Sequence, residues 1–383
     1  MTGTSNAATD PAHRVVIAGA GVAGLEAMVA LRALAGGRVA ITLVSPAPTF
    51  AFRADAVGAP FGRGKPVEHD VAAIAADHDA QLFRDEVRMV HRDLRTVVLA
   101  GGGALGYDSL VAAVGARPRP VYPNALTFRG AQDVAAMREL LADVEAGRAT
   151  SIAFAVPSGA SWTLPIYELA LLTAEHAEAV GRDVALTIVT PEPLPAAALG
   201  HEAGMALAAA LEQHGVSLRP GTRVQRVDGG ALRDLHGRVH ARADRIVALP
   251  LLTGPHVRGL PHDVDGFLPV DEHGAVRGVA HVYGAGDATT APFKQGAVAA
   301  QQAEIAARRI ALAAGVEVAT PSLHATLRAH IETGAGETWF EAPAERPAML
   351  GYGTIASKPL WSPPTKVAMP YLTAYLRRVG ATP

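Results

Sequence analysis

Arg14-Val15-Val16-Ile17-Ala18-Gly19-Ala20-Gly21-Val22-Ala23-Gly24 reads as an apolar strand running straight into a glycine turn, and Leu25-Glu26-Ala27-Met28-Val29-Ala30-Leu31 continues it as a helix. The spacing Gly19-x-Gly21-x-x-Gly24 has a physical reason at each position. The first glycine makes the sharp strand-to-helix turn, the second lets a pyrophosphate approach the backbone, and the third lets helix and strand pack closely. The helix N-terminus then offers free N–H groups and a positive dipole end to phosphate charge. Val39–Val44 follows as a second strand and completes a βαβ unit. Such a glycine pattern also occurs in plain turns. Its place here, after a strand and opening a helix near the start of the chain, points to a dinucleotide site.

One partner of that site is missing. Units of this kind usually end their second strand on Asp or Glu, which holds a ribose hydroxyl. Here the strand ends Val44-Ser45-Pro46, and the nearest acids, Glu26 and Asp55, stand at the wrong spacing. Ser45 is left as the candidate ribose contact.

Working outward, Thr96–Val114 reads as a hairpin in which TVVLA and SLVAAV flank Gly101-Gly102-Gly103, a tight turn rather than a phosphate loop. A helix is expected over Asp133–Ala146. A second βαβ unit follows, with a strand at Ser151–Val156, a helix at Ile166–Ala179 and a strand at Val184–Thr190. A helix at His201–Gln213 and a strand at Asp244–Leu249 come next. The chain then offers a strand near His281–Ala285 and a helix from Gln295 to about Ala313.

The bulk numbers exclude several chemistries. A chain of 383 residues suits two or three domains, and 49% apolar residues suffice for sizeable cores. With 34 basic and 36 acidic side chains and no long basic run, nucleic acid is not an expected partner. The 15 histidines are scattered, without a metal-ligating pattern. There is no cysteine, which removes disulfides, thiolate nucleophiles and Cys-ligated iron–sulfur clusters. Residues 1–12 are polar and do not read as a secretion signal, and no apolar stretch is long enough to span a bilayer. The expected location is the cytoplasm, with peripheral contact to the inner membrane face as the variant reading.

A second signal is Val282-Tyr283-Gly284-Ala285-Gly286-Asp287-Ala288, an apolar strand delivering a Gly-x-Gly-Asp turn. Asp287 reads either as a polyol contact beside a diphosphate or as an ordinary helix cap. Taken with the first fingerprint, SLVAAVGARP at 109–118 and VYGAGDATTAPFKQGAVAAQQAEIAA at 282–307, the chain resembles the two-dinucleotide-binding-domain flavoproteins. Within them it is most similar to sulfide:quinone oxidoreductases, the flavoprotein subunit of flavocytochrome c sulfide dehydrogenases and type-II NADH dehydrogenases. The likeness runs over about residues 13–310.

That resemblance implies FAD as cofactor, and roles for individual residues. Gly19, Gly21 and Gly24 take the pyrophosphate and Ser45 faces the adenosine ribose. Val87 offers backbone groups to the adenine, while Gly115 and Ala116 line the adenosine side. Arg53 approaches the flavin from the ribose end. Gly286 turns the backbone toward the diphosphate and Asp287 bonds the ribityl chain. Lys294 and Gln295, with Gly296, lie against the pyrimidine edge of the ring, where positive charge favours negative charge on the ring. A solvated surface lysine is the other reading of Lys294.

The chain departs from the family at the turn of its second βαβ unit. Type-II NADH dehydrogenases and disulfide reductases carry another GxGxxG there. Here Val156-Pro157-Ser158-Gly159-Ala160-Ser161-Trp162-Thr163-Leu164-Pro165 leaves one glycine, with two prolines and a tryptophan in the space of a pyrophosphate. A tight NAD(P)H site is therefore not expected. The sulfide-oxidising relatives place a redox cysteine near Trp162; with no cysteine, their persulfide route is excluded. Glu168, on the following helix, reads either as a proton relay raised by burial near the ring or as a salt-bridged glutamate. Trp162 reads as packing or as the wall of a substrate pocket.

The expected fold is α/β, with two Rossmann-like three-layer domains, the second inserted in the first. Residues 1–115 and 251–318 form the FAD domain, 116–250 the NAD(P)-binding-like insert, and 319–383 a segment that covers the flavin or mediates association. Glu168, Lys294 and Trp162 are the candidate catalytic residues. The expected activity is two-electron transfer through FAD from a small-molecule donor to a quinone or another acceptor, by a monomer or homodimer. Two rivals stand beside it: an NAD(P)H:quinone-type reductase, and a catalytically silent flavin-binding interaction protein.

Overall fold

A computed structural model describes residues 12–64, 66–333, 336–345 and 353–380. The polar stretch read over residues 1–12 lies outside them, apart from Ala12. The helices are α1 (Val22–Ala35), α2 (Val71–Asp77), α3 (Val134–Glu145), α4 (Leu164–Ala179), α5 (His201–Gln213), α6 (Gly296–Ala313) and α7 (Pro370–Arg378).

Two five-stranded parallel sheets carry the architecture, α/β as expected. The first has the order Val282–Gly284, Ser109–Ala112, His13–Ala18, Val39–Val44, Ala80–Phe83. Its central strands are apolar on both faces because both faces are covered. Val15 and Ile17 pack with α1 and α6 on one side, and Val16 and Ala18 pack with Tyr107 and Leu260 on the other. Small residues set the helix approach: Ala27 and Ala30 of α1 are buried with Ala300, Ala303 and Ala307 of α6.

The second sheet has the order Leu126–Thr127, Arg245–Ala248, Ser151–Ala155, Ala185–Val189, Ser217–Arg219. Residues 166–174 of α4 are all buried, against this sheet and the strand Thr326–Thr333, which accounts for the mostly apolar run there. A short antiparallel ladder, Arg117–Arg119 with Leu251–Thr253, joins the two passages of chain between the sheets.

One expectation is corrected. The triple glycine is a turn, with Gly102 and Gly103 at positive φ, but it joins Thr96–Leu99 to Ala104–Gly106. Ser109–Ala112 instead pairs in parallel with His13–Ala18 inside the first sheet. All four of its residues are buried, which a two-stranded surface hairpin could not achieve.

The C-terminal segment forms an antiparallel sheet, Thr326–Thr333, Gly336–Pro343 and Thr354–Ala356, before α7. Leu327, Ala329 and Ile331 alternate inward at the strand period and join the core built around α4. Leu372, Tyr375 and Leu376 of α7 are buried against α1. Among the described residues, no helix is long and apolar enough to cross a membrane.

Candidate functional site

The fingerprint glycines behave as their spacing demands. Gly19 has φ +106°, outside the range of most side chains, and a Cβ there would strike the carbonyl of Ala113. A Cβ on Gly24 would overlap the carbonyl of Gly19. Gly21 is different: nothing lies within 4 Å of its missing Cβ. It opens onto a cavity of about 360 Å³ that runs from the N-terminus of α1 to the start of α6, α4 and the C-terminal sheet. A dinucleotide pyrophosphate fits at Gly21, where the first-turn N–H groups of α1 lack intrahelical partners.

The cavity gathers Gly21, Arg53, Gly115, Gly286, Asp287, Lys294 and Gln295 with Trp162 and Glu168. Gly19 and Gly24 shape the turn behind it. Ala116 and Val87 are not part of its lining, and Val87 sits in the antiparallel strand Val87–His91. Ser45 is also outside; it is buried, and its hydroxyl accepts from the N–H of Ala47 at 3.2 Å.

Asp287 stands on a turn braced from behind. Gly286 N–H donates to Gln302 Oε1 at 2.8 Å, Gln302 Nε2 donates to Thr289 Oγ1 at 3.2 Å, and Thr289 Oγ1 donates back to the carbonyl of Gly286 at 3.0 Å. The helix-cap reading of Asp287 does not hold, since α6 starts only at Gly296 and Asp287 faces Arg53 at 3.6 Å. Burial pushes its carboxyl up, opposed by Arg53 and Lys294. Arg53 is 63% exposed, so its share is screened by water.

Lys294 is not a surface lysine. Its ammonium lies 3.8 Å from the centre of the Phe267 ring and donates to the carbonyl of Thr289. Burial pushes it down to about 8, opposed by Asp287 and Asp263. Gln295 is tied to the C-terminal sheet, its Nε2 donating to the carbonyl of Arg328 at 2.6 Å.

Glu168 is 3% exposed, and Lys366 Nζ donates to its Oε1 at 2.6 Å. Burial raises the carboxyl and the ammonium opposes the rise. The salt-bridged reading of Glu168 therefore holds, and the residue also stands in the cavity wall. Trp162 likewise lines the cavity while packing on the apolar core. Lys366 and His330 were not singled out from the sequence. His330 stacks on Trp339 with ring centres 4.1 Å apart and reaches the same wall. Alternation in Thr326–Thr333 could have exposed the strand that carries His330; no local signal marks Lys366.

In the second βαβ unit the acid beyond the strand is tied to side chains of its own domain. Thr190 takes the place after the strand Ala185–Val189 that Ser45 takes in the first unit, and Glu192, two residues on, is the nearest acid. Here it is turned inward. Its Oε2 accepts from Tyr167 OH at 2.6 Å, and its Oε1 accepts from Thr163 Oγ1 and from the N–H of Ala197, each at 3.0 Å. Tyr167 and Thr163 lie at the start of α4, beside the proline- and tryptophan-bearing turn. Glu192 was missed in the sequence because it lies beyond the predicted strand end.

A family described as pyridine nucleotide-disulphide oxidoreductase matches residues 13–308 of this chain. Putidaredoxin reductase CamA of Pseudomonas putida is 36% identical over 112 residues, 28% of this chain and 26% of that protein, so the match spans about a quarter of it. The solved sulfide:quinone oxidoreductase of Aquifex aeolicus superposes with a TM-score of 0.81 at 20% identity, covering 90% of this chain and 87% of that one. NDH2 from Plasmodium falciparum superposes at 0.59 with 13% identity, over 73% and 64%.

Proposed function

The chain belongs to the pyridine nucleotide-disulphide oxidoreductase family and is, on that membership, an FAD-dependent oxidoreductase; we propose that it takes two electrons from a small-molecule donor other than NAD(P)H and passes them to a quinone or a related acceptor. The carrying observation is an asymmetry between the two nucleotide units. The first has an open fingerprint at Gly21 over a cavity, and in the second the position after the strand is Thr190 and the nearest acid, Glu192, is bonded to Tyr167 and Thr163. We also read 1–115 with 251–318 as the FAD domain and 116–250 as the insert. The ladder of Arg117–Arg119 with Leu251–Thr253 supports that division.

FAD, when bound, supplies the two-electron chemistry. Gly21 and the start of α1 would hold its pyrophosphate, Asp287 its polyol, and Lys294 would set positive charge beside the ring. Glu168 Oε1 can hold a proton that Lys366 Nζ donates, in a wall shared with Trp162 and His330. The missing cysteines remove the thiolate step of sulfide oxidation from this wall. The fold likeness to a quinone-acting enzyme motivates the acceptor class.

The test is reoxidation. FAD-loaded protein is reduced by light under anaerobic conditions and mixed with a water-soluble quinone. Reoxidation well above the rate of free reduced FAD, slowed in Lys366→Met, supports the reading. A rate equal to that of free FAD and indifferent to Lys366 removes the quinone from it.

A further inference from the structure

Glu26 sits on α1, two places beyond the last fingerprint glycine, and is 0% exposed. A pyrophosphate-binding turn has no use for a carboxylate at that place. Burial pushes the group up to about 7 against two N–H bonds that pull it down, an unfavourable placement unless the carboxylate has a partner.

Its partner is the C-terminal helix. Oε1 accepts from the N–H of Tyr371 at 3.0 Å and Oε2 from the N–H of Leu372 at 2.7 Å. These are the second and third residues of α7. The first, Pro370, has no N–H, and the residue before it, Met369, offers no side-chain cap. A carboxylate from the fingerprint helix thus does what a local Ser or Asp does at most helix starts, with its charge at the positive end of the dipole.

Just upstream of α7 lie Lys366 and Val367. Val367 is pressed onto the start of α6, where a Cβ on Gly296 would come within 2.6 Å of its Cγ1. Tyr375 OH to Asp77 Oδ2 at 2.7 Å and Arg377 Nη2 to the carbonyl of Pro364 at 3.4 Å tie α7 further along the helix. Glu26 holds the end nearest Lys366.

We propose that Glu26 is a positioning residue: by capping α7 from the fingerprint helix, it fixes the segment that carries Lys366 and so seats Lys366 on Glu168 in the cavity wall. The flavin helix and the proton-holding pair are thereby held in one frame. The functional half of this inference rests on the reading of the Lys366–Glu168 pair given above. The structural half does not.

The experiment compares FAD-loaded wild type, Glu26→Gln and Tyr371→Pro. The second variant removes one N–H donor that has no partner within α7, leaves Glu26 in place, and guards against misfolding of α1 in the first. In both, amide exchange over residues 366–378 should rise on the order of ten-fold while that of α1 and the second sheet stays unchanged. Quinone-driven reoxidation should slow in Glu26→Gln and show no further loss when Lys366→Met is added. Unchanged exchange over 366–378 in both variants overturns the proposal. So does a reoxidation defect that adds in full to that of Lys366→Met. If no quinone reoxidises the protein, the functional reading fails while the exchange arm still decides whether Glu26 seats the segment.

Discussion

Lys366 Nζ lies 2.6 Å from Glu168 Oε1, joining α4 to a segment 198 residues further along the chain. The carboxylate is 4% exposed at its side chain and the ammonium 21%, so the pair is largely withdrawn from water. Removing one member leaves a buried charge without compensation. Lys366→Met should lower stability by about 3 kcal/mol. Adding Glu168→Gln should restore part of it, with a coupling above about 1 kcal/mol in a denaturant double-mutant cycle. Additive losses would show that the two groups do not act as a pair.

The glycines of the fingerprint predict opposite behaviours. Gly21→Ala meets no protein atom within 4 Å and its φ is −84°, so stability without FAD should hold. The added methyl enters the pyrophosphate space at a cost of about 1–3 kcal/mol, or roughly 5- to 150-fold in the Kd for FAD. Gly24→Ala overlaps the backbone of Gly19 and should lower the Tm of the FAD-free protein itself. Equal thermal losses in the two variants would contradict this division of labour.

Lys294 predicts a pH dependence. It titrates near 8 in the fold against 10.5 for an ordinary lysine. Above about pH 8 the folded form gives up its proton before the unfolded form does. The unfolded state then binds more protons, and stability rises with pH. The cost of the buried ammonium is present in full below pH 8 and is relieved as pH climbs. Relative to Lys294→Met, the FAD-free wild type should gain about 2 kcal/mol between pH 7 and pH 9.5. A flat difference in denaturation free energy over that range would place Lys294 in contact with water.

The bond of Tyr167 to Glu192 predicts a structural role. Tyr167 is 0% exposed and its hydroxyl serves Glu192. Tyr167→Phe should cost about 1–2 kcal/mol, read as a lower Tm, without changing FAD affinity. A stability equal to wild type would mean that Glu192 finds another partner at no cost.

Much of this architecture is legible in the chain because its signals are local. The run Arg14–Gly24 encodes strand, turn and helix in adjacent residues, and His201–Gln213 is found to the residue. The misread hairpin shows the limit. A triple glycine and two apolar runs satisfy a hairpin pattern, yet Ser109–Ala112 is drawn into the parallel sheet by burial on both faces, which its own composition cannot announce. The candidate site divides in the same way. Gly21, Asp287 and Lys294 follow from motifs, whereas the partners of Glu168, Glu192 and Glu26 are supplied by folding from distant segments.

Under the proposed function, electrons enter this flavoprotein from a donor other than NAD(P)H. This is tested most directly by the visible spectrum of the FAD-loaded protein, recorded anaerobically before and after NADH and NADPH are added. A flavin band that stays oxidised with both, yet bleaches with dithionite, is the predicted result. Rapid bleaching by either nucleotide would overturn the proposed donor and show that Glu192 and the turn at residues 156–165 leave a nicotinamide site open.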